Sequence, residues 1–324
     1  GTLDSLTTGT HYTAVGKDVL TANTTGYRNT AVGSRSAMTM TTGDSNVSMG
    51  YEALEFNTTG SQNVAIGHQA LEANTTADGN IAIGNAAMVL NTTGNNNIAI
   101  GSQALDANTT GSQSIAIGSN ALGQQNADVK NIAVGYRALQ GTTSGTSNVG
   151  MGRDVLYNLT TGGSNTAIGN DALGSMTTGD NCTAVGKAAL GSNTTGRNQA
   201  FGVRALTANT TGTANVAFGY QTLDANTTGN YLTAFGDSAL GANTTASNNT
   251  AVGYYAMVTN TDGTYNTAVG YEALRSCVSG THNVAIGQGA LRDGTGSRNV
   301  AVGPTSQRYR TAVSYTHLTL PTKA

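Results

Sequence analysis

Apolar residues recur along this chain in short bursts of fixed spacing. Each burst is a β-branched residue, an alanine and an apolar residue, closed by glycine. The closing glycines are Gly16, Gly33, Gly50, Gly67, Gly84, Gly101, Gly118, Gly135, Gly152, Gly169, Gly186, Gly202, Gly219, Gly236, Gly253, Gly270, Gly287 and Gly303. Every interval is 17 residues except Gly186 to Gly202 and Gly287 to Gly303, which are 16. Alternation with β-branched residues predicts a strand of three residues in each repeat. The coil reads N-T-A-V-G-x-x-A-L-x-x-N-T-T-G-x-x, and such a period maintained from Gly16 to Gly303 predicts a parallel β-solenoid of 18 coils. Both short intervals lose their residue between the second glycine and the next strand, which marks that phase as a loop.

Each column of the repeat carries its own expectation. The residue before the glycine is apolar in every coil, from Val15 to Val302, and is expected to form one wall of the core; Phe201, Phe218 and Phe235 predict a locally wider core. The alanine between the two β-branched or apolar positions gives way only to Ser48 and Gly150. On a strand it points away from its neighbours, and so small a residue predicts close packing against another chain, hence an oligomer with rotational symmetry. Leucine four residues after the glycine, replaced by Ala37, Met88 and Met257, is the expected second wall. Its x-x-A-L-x-x segment fits either a second short strand or one helical turn. N-T-T-G reads as turn chemistry. Asparagine before the strand, absent only at Tyr12, Ser114, Cys182 and Leu232, is expected to bond in ladders between coils spaced about 4.8 Å.

Composition narrows the field. Leu, Ile, Val and Phe form only roughly a sixth of the chain, a level that signals disorder when net charge is high. The formal net charge here is −2 and charged residues are 10 %. No basic field is available to a nucleic-acid backbone, and no apolar run approaches the roughly 20 residues of a membrane-spanning helix. Beginning at Gly1 without Met or a secretory leader, the chain is expected to be part of a longer product.

Segments such as Asn63-Val-Ala-Ile-Gly67, Asn97-Ile-Ala-Ile-Gly101, Asn283-Val-Ala-Ile-Gly287 and Asn266-Thr-Ala-Val-Gly-Tyr-Glu-Ala-Leu274 resemble the head repeats of trimeric autotransporter adhesins and the shaft repeats of bacteriophage tail fibres. The resemblance runs from residue 3 to about 303. It implies a homotrimeric β-roll fibre, a virion or bacterial-surface location, and attachment to a host glycan or protein receptor; the residues themselves are read as offering no catalysis, cofactor, metal site or membrane insertion. The coil is longer than the adhesin head repeat by its N-T-T-G portion. Residues 304–324 leave the pattern, and 312–324 resemble the translated end of a sequencing adapter rather than natural protein.

The candidate chemistry is sparse. Tyr51, Tyr136, Tyr220, Tyr254 and Tyr271 directly follow their glycines and form a candidate glycan-contact stripe, or cover a sheet edge. Asp154 and Asp171 share a column in adjacent coils, at a separation suited to a retaining glycosidase, but Arg137 and Arg153 nearby favour a charge-balanced ladder. Glu55 and Glu72 repeat that arrangement. His11, His68 and His282 fall in distant coils, and Cys182 and Cys277 occupy asparagine positions too far apart for a disulfide. N-x-T sequons read as turns. Phosphate-loop, dinucleotide and calcium-repeat glycine motifs are missing. Two rival readings are an ice-binding solenoid, disfavoured by adjacent rather than alternating threonines, and a glycan-cleaving tailspike.

Overall fold

The computed structural model describes residues 3–127 and 129–308. The chain divides into two compact units, residues 1–180 and 181–324. The first contains ten three-residue parallel strands among its described residues, from β1 (Thr13–Val15) to β10 (Thr166–Ile168). The second contains eight, from β11 (Thr183–Val185) to β18 (Val300–Val302). Within each unit every strand pairs in parallel with its neighbour in sequence, like position on like position: Ile81, Ile98 and Ile115 align, as do Ala82, Ala99 and Ala116. The fold is a parallel β-solenoid with no helix among the described residues.

The segment expected to be a strand or a helical turn is neither. In the coil of Gly101 a turn closes from the Ala104 N–H to the Gly101 carbonyl at 3.3 Å, and a second from the Asn108 N–H to the Leu105 carbonyl at 3.3 Å. Gln103 and Leu105 both hold positive φ, 55° and 54°, and the pattern recurs coil after coil. Non-glycine residues are strained there. The compensation is a bond from each coil to the next: the Leu105 N–H donates to Ala121 O at 2.9 Å and the Gly118 N–H to Ile100 O at 2.7 Å. The anchor glycines stand at φ between 116° and 144°, where a side chain is rarely accommodated.

Burial reverses the expected faces of the strand. From Ala31 to Ala285 the central alanines are fully buried inside the coil, while the residues flanking them are half-buried or exposed; Ala14 in the first strand is half-buried. The apolar residue before the glycine is therefore on the outer face and not in the core; Val15 is 58 % exposed and Phe218 52 %. The phenylalanines do not widen the core either. They stack on that outer face, with centroids 5.5 Å apart for Phe201–Phe218 and 5.7 Å for Phe218–Phe235. The core is thin, built from strand alanine, the Ala-Leu pair after the turn, and asparagine. At so small a cross-section only a methyl fits opposite leucine: a Cβ on Gly150 would meet the Leu139 side chain, and Val155 fills the space nearby.

Asparagine closes the core as two different ladders. Before the strand, the expected ladder between coils is present: Asn97 donates both its N–H and its Nδ2 to Asn80 Oδ1, at 2.9 and 3.3 Å, and its Nδ2 also to Gly111 O at 2.8 Å. The asparagine of N-T-T-G, expected in a turn, is buried and forms a second amide-to-amide ladder. Asn74, Asn91 and Asn108 each donate Nδ2 to Oδ1 of the preceding coil at 2.8, 3.2 and 2.9 Å. Asn209, Asn226, Asn243 and Asn260 repeat it in the second unit. Cys182 and Cys277 are buried in one ladder each, where Asn193 and Asn283 donate to their sulfurs at 3.8 and 3.9 Å. Pro304–Arg308 follow the post-glycine turn, with Thr305 at φ 53° and Gln307 at φ 50°. The adapter-like stretch lies outside the described residues.

Candidate functional site

Three surface features can engage another molecule, each set by a column of the repeat. The first is the outer face of the strands. Its two rows run through Ile81, Ile98 and Ile115 on one side and Ile83, Ile100 and Ile117 on the other. No Asp, Glu, Lys or Arg occupies either row in any strand; the departures from apolar or Thr are confined to Gln199. A contiguous uncharged face of this kind is of the size of the largest apolar patch on a soluble chain, and such patches are often functional. Taking ten strands about 4.8 Å apart and three residues of about 3.3 Å, it covers on the order of 500 Å² on the first unit.

The second is the tyrosine column. All five candidates are exposed, between 42 and 50 %. They do not make one continuous stripe, because only Tyr254 and Tyr271 belong to neighbouring coils. Those two stack at 5.5 Å with planes 8° apart, and Tyr255 lies 4.1 Å from Tyr254. Tyr255 escaped the sequence reading because it sits one position out of the column. A hydrogen bond with Tyr255, then burial and neighbouring negative charge, pushes the Tyr254 hydroxyl up to about 12, so that hydroxyl stays protonated at neutral pH. Beside it is a cleft of about 280 Å³ lined by Tyr271, Glu272, Gln288, Arg292 and Thr305, where Arg275 and Arg292 pair with Glu272 at 3.2 and 2.9 Å. Elsewhere the tyrosines find other partners: Tyr51 stacks on His68 at 5.6 Å, and Arg137 lies over both Tyr136 and Tyr157, at 5.5 and 4.1 Å. No aromatic stack joins Tyr220 to a neighbouring ring among the described residues.

The third feature is the set of carboxylates on the post-glycine turns. Asp154 is held by Arg137 at 2.9 Å and Arg153 at 3.0 Å, while Asp171 accepts a hydrogen bond from Asn170. Two guanidinium groups closing on one carboxylate make an arrangement suited to a stabilising ladder. A denser group lies three to four coils from the amino end. Arg35 pairs with both Glu52 and Glu55, Gln69 donates to Glu52 Oε2 at 3.0 Å, and oxygens of Glu52, Glu55 and Glu72 all lie within 4.8 Å of one another. Burial opposes ionisation of Glu52, but hydrogen bonds from Tyr51 and Gln69 and the Arg35 charge prevail and hold its carboxyl below the usual value. Burial pushes Glu55 and Glu72 up, and the negative charge of Glu52 adds to the effect at both.

The threonine pairs are spoken for in part. The first hydroxyl of each pair bonds the next coil, as Thr41 Oγ1 does to Thr58 O at 3.0 Å and Thr92 Oγ1 to Thr109 O at 3.0 Å, while the second points outward. A single file of threonines results rather than the flat double rank of an ice-binding face. His68 and His282 stack on Tyr51 and Tyr265, in different units. No helix of the described residues is long and apolar enough to cross a membrane. No protein-family model matches the chain, and no curated protein matches it by sequence.

Proposed function

We propose that this chain is a shaft or head segment of a homotrimeric attachment fibre, of the kind carried by phage tails and bacterial surface adhesins, and that its work is mechanical and non-catalytic. The observation that carries the reading is the uncharged apolar outer face of the strands. Three identical chains about a common axis bring like rows against like rows, because every coil repeats the same residues in the same register. Faces of on the order of 500 Å² on two facing chains sum to about 1,000 Å², the threshold for a specific interface. The alanines cannot serve as that interface, since they are enclosed in the coil.

In this role uniform coils hold a receptor-binding element away from the particle or cell. The exposed tyrosines, above all the Tyr254–Tyr255–Tyr271 cluster, add sugar-stacking contacts of low individual affinity, which three chains multiply by avidity. Light scattering on the full chain tests the assembly. The expected mass is three chains, falling to one when Ile98→Lys, Ile100→Lys and Ile117→Lys place charges on the outer rows. Circular dichroism keeps loss of fold distinct from loss of assembly. A folded monomer for the unaltered chain at all concentrations sinks the proposal.

A further inference from the structure

We propose that Glu52, Glu55 and Glu72 form a binding site for a divalent cation of calcium size. The acidic cluster alone would not carry this, because Arg35 already neutralises part of it. What points to a ligand is Glu55. Its side chain is 1 % exposed, and although Arg35 pairs with Oε1, neither carboxylate oxygen has a hydrogen-bond partner inside the protein. A buried carboxylate oxygen is normally satisfied. The Glu55 carboxylate offers an oxygen within 4.8 Å of oxygens of Glu52 and Glu72.

Geometry selects the ion. Calcium takes oxygen ligands at 2.3–2.6 Å, so two oxygens on one ion stand at most about 5 Å apart; magnesium at 2.0–2.1 Å allows only about 4.2 Å. The three carboxylates offer oxygens within 4.8 Å. Charge agrees with geometry. Three carboxylates and one guanidinium leave two negative charges unbalanced, the charge of one divalent ion, and among the described residues no ion pair reaches Glu72. Glu72 is half-buried, so water completes the coordination from its side.

The repeat explains why the site occurs here. Glu55 and Glu72 occupy the same position in successive coils, five residues after Gly50 and Gly67, and stacking brings them one coil apart. Glu52 comes from the turn of the Glu55 coil, where positive φ of 57° directs it along the same edge. In the second unit the corresponding column holds Arg275 and Arg292, which pair with Glu272 without needing an ion.

The test uses the full chain, with calcium and terbium ions as probes. Melting is followed in excess EDTA and in millimolar CaCl2 or MgCl2, for the unaltered chain and for Glu72→Gln, a change at a half-exposed carboxylate. The unaltered chain should melt several degrees higher in CaCl2 than in EDTA, with a smaller rise in MgCl2, and Glu72→Gln should lose the rise. Terbium luminescence excited through Tyr51, the neighbour of Glu52, should appear on binding, be displaced by calcium, and vanish in Glu72→Gln. The proposal is overturned by equal melting with and without calcium and no terbium signal, or by an unchanged response in Glu72→Gln. An equal rise in magnesium overturns the size assignment.

Discussion

Replacing Gly101 by alanine should break the solenoid locally, at a cost that can be worked from two separate sources. Gly101 has φ 136°, a conformation that side chains rarely adopt; forcing alanine into it costs about 1–3 kcal/mol. The added Cβ would also stand 2.6 Å from Gly118 C, 2.7 Å from Gly118 O and 2.9 Å from Ser119 N, all main-chain atoms of the next coil. No side-chain rotation relieves such contacts, so the two coils must separate and weaken the 2.7 Å bond from Gly118 N to Ile100 O. Overpacking of this kind costs about 1–3 kcal/mol more. The total is about 2–6 kcal/mol, enough in a quasi-one-dimensional array to uncouple the coils on either side. Gly174→Ala is the matched control. Its Cβ would meet Asp171 O at 3.3 Å, a contact relieved by a shift of a few tenths of an ångström, and its φ is ordinary, so a change of no more than about 1 kcal/mol in either direction is expected. Urea unfolding followed by far-ultraviolet circular dichroism would measure both. If Gly101→Ala lost less than about 1 kcal/mol, or shifted with the control, the close-approach argument would be wrong.

Asn91→Ala removes a donor to Asn74 Oδ1 and Gly94 O and the acceptor for Asn108 Nδ2; a loss of about 2–4 kcal/mol is expected in the same unfolding assay, against about 0.5 kcal/mol or less for the exposed Thr93→Ala. Burial pushes the Asp106 carboxyl above its ordinary value of 3.8. The folded state therefore holds that proton more tightly than the unfolded chain, and this contribution to stability declines as pH rises through and above the ordinary aspartate range. Asp106→Asn should accordingly raise the melting temperature at pH 7 and lose its advantage below pH 3; a lower melting temperature at pH 7 would refute the reading.

The period, the strand positions and the coil boundaries were legible in the sequence because stacking demands like residues at like positions, and Gly16 to Gly303 record that demand directly. Which way the strand faced was not. Alternation separates the alanine from its neighbours but does not say which set is enclosed, and the larger side chains suggested a core. The coil is too narrow for them: with a leucine on the opposite wall, the strand can contribute only a methyl, as the buried Ala99 opposite the Leu105 column shows. The left-handed turn at leucine was equally hidden, since leucine has no preference for positive φ and adopts it here because the inter-coil bonds require it. The glutamate group was partly visible as Glu55 and Glu72, but Glu52 and Arg35 join it only through the turn geometry.

In-register stacking also creates a problem of address. A coil that offers the same residues as its neighbours can be matched to the wrong one, within a chain or between chains, with almost no loss except at the ends. The coils that break the pattern are the ones that can tell positions apart. Ser36 and Ser48 replace alanines in adjacent coils and bond each other at 2.7 Å, so either one shifted by a coil would strand a buried hydroxyl. Met40, Leu159 and Met176 interrupt an asparagine ladder that would lose its partners if it slid onto them. The stacked Phe201, Phe218 and Phe235 raise a bulky segment on a face otherwise made of smaller residues. The irregular positions thus act as an index on a uniform rule: the repeats supply cohesion, and the exceptions say where each coil belongs.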